Sequence, residues 1–297
     1  ISFSGFYLAM FVVLAALILR PVGFKYRSKR ESATWRTSWD WALFVGGFVP
    51  ALIFGVALGN VLQGVPFDID RTLRATYTGG LLGLLNPFAL LCGLASVAML
   101  VVHGASWLVV KIEHGHVMNR AAKFGQIAAL LVIVFYAAAG IWLAMAGMGY
   151  RIVTDIDPNG VANPLRKEVV LEAGAWLTNY GKYPWMILAP ALGFIGSALA
   201  FIGLRNKTSL SLIGSGLAAT GIVASVGASM FPFILPSSIN PNASLTVWDS
   251  SSSHLTLFIM LIVTVIFVPI ILAYTAWVFK VLWGRLTTEE ANAAGTY

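Results

Sequence analysis

Four histidines in a chain with few charges are the first place to look for redox chemistry. A haem held by two imidazoles needs both on facing helices at one membrane depth. In the orientation that the charges impose, His103 falls in the inner part of one apolar run and His254 at the outer end of another. His114 and His116 sit in a basic link. No pair shares a depth, and no Cys-x-x-Cys-His occurs. The expectation is that this chain alone ligates no haem and no metal. His103 is instead expected to be a buried polar group bonded to a neighbouring helix, because an unpaired polar group in lipid costs several kcal/mol. The single cysteine, Cys92, lies inside an apolar run and forms neither an internal disulfide nor a zinc cluster.

Asp40 is the acid nearest an apolar run on the inner side, framed by Trp39 and Trp41. It has two readings. One is an interfacial carboxylate paired to Arg36 at a helix start. The other is an acid at the mouth of a proton route, with Lys25 and Arg20 in the adjoining basic link, since ionisable groups near hydrocarbon are costly and mark ion traffic. Asn60, Gln63, Asn86, Ser96 and Gln126 lie in or beside apolar runs, where bonding between helices is the default role. A stretch from Met230 to Asp249 combines Pro232, Pro236, Trp248 and Asp249. It reads as a rigid return loop in which Asp249 caps the last helix. No GxxxxGKS, HExxH, GxSxG or EF-hand pattern is present, so a soluble-type active site has no support.

The elements that must position these residues are membrane helices. The composition is 58% hydrophobic and 10% charged, where a soluble domain carries roughly 25% charged residues. About 20 apolar residues cross the hydrocarbon core. Seven such runs are found: Phe3 to Leu19, Trp41 to Leu62, Leu81 to Val110, Phe124 to Met148, Pro184 to Leu204, Leu210 to Phe231 and Leu255 to Trp283. The third and seventh exceed one crossing and are expected to tilt, kink or extend into water. Pro50, Pro87 and Pro269 are kink candidates. Gly55 and Gly59 form a small-xxx-small pair suited to close helix contact. In the outer link, Asn163-Pro164 reads as a helix start. Leu165, Val169, Val170 and Trp176 are then expected on one face of a short interfacial helix. The whole of 1–297 reads as one integral membrane domain, all-α, with no internal repeat.

Thirteen of the nineteen Lys and Arg residues fall in alternate links. Arg20, Lys25, Arg27, Lys29, Arg30 and Arg36 crowd the first, Lys111, Arg120 and Lys123 the third, and Arg205 and Lys207 the fifth, with Lys280 and Arg285 after the last run. By the positive-inside rule these links face the cytoplasm, the N-terminus starts outside and the C-terminus ends inside. The net charge of +7 is accounted for by this pattern against anionic lipid, so nucleic acid is not an expected partner. The chain begins at Ile1 with an apolar stretch whose positive charge follows it, unlike a signal peptide. It is expected to be incomplete at its N-terminus.

Several blocks resemble subunit II of the cytochrome bd-type quinol oxidases. They are Phe6-Tyr7, Leu19 to Phe24, Tyr26 to Lys29, Trp39-Asp40-Trp41, Gly59-Asn60, Leu62 to Phe67, Leu85 to Phe88, Asn163-Pro164-Leu165, Gly174-Ala175-Trp176, Met230 to Phe233, Pro236 to Ser238, Ser244 to Thr246 and Trp248-Asp249. The resemblance implies a subunit of a respiratory terminal oxidase of the bacterial inner membrane, which oxidises quinol and reduces dioxygen to water. It implies haem b and haem d in a partner subunit I and none in this chain. It implies roles in stabilising subunit I, in lining a proton route from the cytoplasm, and in some members in holding a structural quinone such as ubiquinone. Small single-helix accessory subunits and lipid are further partners the resemblance admits. The family fold is about nine crossings, as two four-helix bundles plus a peripheral helix. This chain departs from it in having seven, the two absent ones preceding Ile1, and in carrying Lys25 where the family pattern has an acid. A secondary transporter or a purely structural assembly subunit are the competing readings. The lack of an internal repeat argues against the transporter.

Overall fold

The computed structural model describes residues 1–113, 115–156, 160 and 162–284. His114, Arg285 and Tyr297 lie outside the described residues. Seven long helices carry the chain: α1 (Tyr7–Tyr26), α2 (Ala33–Gln63), α3 (Pro87–Lys111), α4 (His116–Met145), α5 (Leu188–Asn206), α6 (Leu210–Met230) and α7 (His254–Val281). All seven are long and apolar enough to cross a membrane. The architecture is an all-α polytopic bundle. α3, α4, α5 and α6 form one four-helix bundle, the α1–α2 pair packs on it through α2 and α3, and α7 stands at the periphery with no buried residue. The described chain thus forms one four-helix bundle plus a helix pair, where the resemblance implied two bundles.

Helix starts explain where the sequence reading must be corrected. Leu81–Leu84 is a short 3-10 turn, and α3 begins only at Pro87. The Asn86 side chain accepts from Ala89 N at 2.9 Å, so Asn86 is the cap and Pro87 occupies the first turn. Proline lacks an N–H that would be unpaired there anyway. It therefore opens the helix and does not kink it. Pro50 and Pro269 do lie inside α2 and α7.

Small residues set the helix spacing. A Cβ at Gly55 would meet Cys92 O at 2.5 Å, and one at Gly59 would meet Ala89 Cα at 2.7 Å. α5 and α6 come closer still: added Cβ atoms at Gly196, Gly203, Gly214 and Gly221 would lie 2.2–2.4 Å from backbone nitrogens of the facing helix. Close backbone approach replaces the hydrophobic drive that lipid does not supply.

Three two-stranded pairs fill the links at one end of the bundle. β1 (Phe67–Ile69) pairs with β2 (Ala75–Tyr77), β3 (Tyr150–Ile152) with β4 (Val169–Leu171), and β5 (Phe233–Leu235) with β6 (Leu245–Thr246), all antiparallel. Val65 N donates to Pro236 O at 2.9 Å, and Ser238 N to Val65 O at 3.0 Å, which joins the first link to the last. Gly64 turns between α2 and this join at φ +92°, where a Cβ would strike the Tyr150 hydroxyl at 2.1 Å. The short interfacial helix does not form. Pro164–Arg166 is a single 3-10 turn capped by Asn163, and Val169 and Val170 lie in β4. Their branched Cβ atoms favour an extended chain.

Candidate functional site

At the end of the bundle that carries most of the cations, the α1–α2 turn is built from aromatics. Tyr26 stacks on Trp39 at 5.9 Å, Trp35 meets Trp39 edge-on at 5.7 Å, and Trp35 Nε1 donates to Tyr26 O at 2.9 Å. This stack folds the end of α1 back against the first turns of α2. Arg27 thereby reaches Asp40, with Nε to Oδ1 at 2.5 Å and Nη2 to Oδ2 at 3.2 Å. The partner of Asp40 is thus Arg27 and not Arg36, although Arg36 has helical i, i+4 spacing. The pair is about half exposed, so water screens much of its attraction. Lys25 and Arg20 are both exposed nearby, and the Arg20 stem lies against Gly46 of α2.

Toward the opposite end, two of the sequence-selected asparagines meet. Asn60 Nδ2 donates to Val56 O at 2.8 Å and to Leu84 O at 2.7 Å, and Asn86 Nδ2 donates to Asn60 Oδ1 at 3.0 Å. This node ties α2 to the start of α3. His103 Nδ1 lies 3.0 Å from Ser215 Oγ, joining α3 to α6. His103 is exposed on the bundle surface and not buried, which corrects the sequence reading. His254 is the first residue of α7.

Between these features lies a cavity of about 510 Å³, bounded by α2, α3, α4, α5 and α6. Most of its wall is apolar, including Leu58, Leu62, Phe88 and Met99. Ser96, Tyr136, Tyr180, Ser225 and Ser229 are its polar lining. Tyr136 donates to Ser225 Oγ at 2.7 Å, and Tyr180 pairs with Ser229 Oγ at 2.8 Å. Nothing in the sequence singled out Tyr136 or Tyr180. Tyr136 sits in an apolar run and Tyr180 in a link, and only the fold brings them to one cavity.

The strand-bearing links close over the bundle as a cap. Trp176 is fully buried there and donates to Leu62 O at 3.0 Å, beside Tyr150 and Phe233. Burial pushes the Tyr150 phenol up to about 12. Its hydroxyl donates to Gln63 O at 3.0 Å. Lys167 Nζ donates to Asp249 Oδ2 at 2.6 Å, with the two side chains only 1% and 5% exposed. Asp249 also accepts from Thr246 N at 2.9 Å and from Ser250 Oγ at 2.8 Å. Desolvation opposes the charge of this carboxylate. The Lys167 ammonium, the Thr246 amide and the Ser250 hydroxyl outweigh it and hold Asp249 below the usual carboxylate range. Burial pulls the Lys167 ammonium below its ordinary value, against the pull of Asp249. Asp249 therefore does not cap α7; Ser253 does, accepting from Thr256 N. Trp248 meets Phe231 edge-on at 5.9 Å. Pro232 O accepts from Val247 N at 3.0 Å, and Pro236 is fully buried. Lys167 is a further residue that sequence reasoning missed, because nothing in the sequence marks it off from the other lysines and arginines of the links.

Among the described residues, no three His, Cys, Asp or Glu side chains converge as a metal site would require. Comparison with known proteins supplies the context. The family described as "Cytochrome bd terminal oxidase subunit II" matches residues 1–282. The chain is 48% identical over 291 residues to "Cytochrome bd-I ubiquinol oxidase subunit 2" of Escherichia coli K12, covering 97% of this chain and 76% of that one. It is 47% identical over 287 residues to "Probable cytochrome oxidase subunit 2" of Haemophilus influenzae, covering 96% and 75%. A chain from the structure of bd oxidase from Geobacillus thermodenitrificans superposes with a TM-score of 0.55 at 13% identity, covering 94% of this chain and 78% of that one, and so shares its fold. The chain therefore belongs to the cytochrome bd terminal oxidase subunit II family, and so is a multi-pass inner-membrane subunit of a respiratory oxidoreductase.

Proposed function

We propose that this chain is the haem-free support subunit of its oxidase. Quinol oxidation and the reduction of dioxygen to water then take place in a haem-bearing partner subunit. The carrying observation is how the polar groups within the fold are engaged. Asn60 and Asn86 bond each other, His103 meets Ser215, Tyr136 and Tyr180 bond α6, and Lys167 holds Asp249. Each is engaged inside this chain, which suits a rigid scaffold. The test is His103→Leu in the assembled complex. Unchanged haem bands are expected, and loss of a band from an intact complex overturns the reading.

The 510 Å³ cavity supports a structural quinone as a second element of this role. Its apolar wall suits an isoprenoid-bearing ring, and Tyr136 and Tyr180, both bonded to α6, supply hydroxyls. Filling it by Gly140→Leu is expected to lower the quinone content of the purified complex while haem content stays constant. An unchanged quinone content removes the assignment.

The orientation follows from the cations: the end bearing the α1–α2 turn faces the cytoplasm, and the strand-bearing cap faces outward. For Asp40 the bidentate contact with Arg27 favours a structural clasp over a proton relay. An acid committed to a guanidinium exchanges its proton poorly. Asp40→Asn is therefore expected to leave oxygen reduction unchanged, and slowed turnover with normal assembly would restore the relay.

A further inference from the structure

The α1–α2 turn holds more positive charge than the chain itself neutralises. Arg20, Lys25, Lys29, Arg30 and Arg36 are all exposed. Among the described residues none of the five lies within ion-pair distance of a carboxylate, and the nearby Asp40 is taken by Arg27. The cations are also positioned. Lys29 Nζ sits 5.1 Å over the Tyr26 ring, and Arg30 lies 5.0 Å over Trp35. The Tyr26–Trp39–Trp35 stack beneath them is locked by the Trp35 bond to Tyr26 O. The Arg20 stem runs along the notch that Gly46 leaves in α2. Exposed apolar side chains, Phe24 at 65% and Trp41 at 63%, border the charges.

We propose that this turn is a binding site for the phosphate headgroup of an anionic phospholipid, with the acyl chains lying along Phe24, Trp41 and Phe44. Three features together point to a lipid over a soluble anion. The cations are at a helix-pair end where the hydrocarbon boundary falls. Tryptophan and tyrosine mark that boundary. The charges adjoin exposed apolar surface, so one ligand with a phosphate and a hydrocarbon tail satisfies both. Rings that stack under Lys29 and Arg30 hold the cationic groups in place and lower the ordering cost of binding. The other basic links differ. In the third and fifth, Lys207 donates to Asn119 at 2.6 Å, and Lys111 donates to Leu282 O at 2.9 Å. Arg120, Lys123 and Arg205 in those links are exposed, and among the described residues none of them lies over an aromatic ring.

The test uses the assembled oxidase in nanodiscs of phosphatidylcholine with one-quarter phosphatidylglycerol, followed by native mass spectrometry of retained lipid. A cation in contact with the bound headgroup is worth roughly five-fold in retention of that lipid, from about 1 kcal/mol per Lys or Arg at an anionic surface. The triple variant Lys25→Gln/Arg30→Gln/Arg36→Gln should then lose about 100-fold in preference for phosphatidylglycerol over phosphatidylcholine. The control variant Arg120→Gln/Lys123→Gln/Arg205→Gln removes equal charge away from the proposed headgroup contact and should keep the retained lipid. Circular dichroism and haem content monitor folding in both. Lys25→Arg/Arg30→Lys/Arg36→Lys keeps the charge, and it should keep the lipid if the first triple variant misassembles. Equal retention by the first triple variant and the parent overturns the site, as does an equal loss in the control, which would reduce the effect to net charge. Displacement of the lipid by inorganic phosphate at millimolar concentration would also overturn it, in favour of a soluble anion.

Discussion

Removing Asp249 should open the strand-bearing cap far more than removing its partner. Asp249→Ala leaves the Lys167 ammonium buried at 1% exposure with only the Pro164 carbonyl to accept from it, and it strips the acceptor from Thr246 N and Ser250 Oγ. Breaking a buried ion pair costs about 3–5 kcal/mol. With three bonds lost this variant belongs at the upper end, about 4 kcal/mol or more, or roughly a 1,000-fold rise in the open population. Lys167→Met leaves the carboxylate with two donors and belongs at the lower end, about 3 kcal/mol or roughly 100-fold. Lys167→Met with Asp249→Leu removes both charges and leaves chiefly the unpaired Thr246 amide, about 1–2 kcal/mol. Cleavage of the strand-bearing links by a broad-specificity protease, in the fast-closing regime, reads these populations directly. Near-equal rates for the two single variants, or a double variant as labile as Asp249→Ala, would refute the reasoning.

The same carboxylate sets an acid limit. Its folded-state value is depressed, so its contribution is complete above the unfolded value of roughly pH 4 and lost as pH falls through the folded one. Protection of the cap should persist to about pH 4 and fail below, and Asp249→Asn should flatten that acid limb. Gly196→Leu and Gly221→Leu should block assembly, because even a Cβ there meets facing backbone at 2.3 Å. The readout is the yield of complex, and normal yield would contradict the close α5–α6 approach. Asn86→Ala should destabilise by about 1 kcal/mol through loss of the α3 cap, with Asn60→Leu of similar size, and measured thermal midpoints of the complex check both. A reporter joined after Tyr297 should be cytoplasmic, and a periplasmic signal would reverse the proposed orientation.

The membrane helices were legible because a run of about 20 apolar residues has few alternatives in lipid. Helix ends were less so. Pro87 reads equally as kink or start until Asn86 is seen to cap it. The three-residue strands of the cap carry too little alternation to register. Long-range partners were invisible for a different reason. Arg36 lies four residues from Asp40 and looked its natural mate, whereas the Tyr26–Trp39 stack delivers Arg27 from another helix. Asp249 finds Lys167 across 82 positions of sequence, and only a burial of both charges distinguishes that lysine from its exposed neighbours. The asparagines were easier, because a polar amide inside an apolar run has to bond something, and the partners were other amides and carbonyls close at hand.

α7 is moored at its foot. Lys111 of α3 reaches the carbonyls of Leu282 and Gly284 at 2.9 and 3.4 Å, lies over the Trp283 ring at 4.8 Å, and sits beside Trp107, which meets Phe279. Above that point the helix has no buried residue. Its 28 residues span about 42 Å at 1.5 Å per residue, against a hydrocarbon core of roughly 30 Å. Burying all of it would require a lean of about 45°. A bilayer thicker by about 3 Å would then need only about 38°, and the far end would swing inward by about 3 Å. With the foot as pivot, the local thickness of the membrane becomes an angle of this helix, and the loop carrying Trp248 and Asp249 is joined to its moving end.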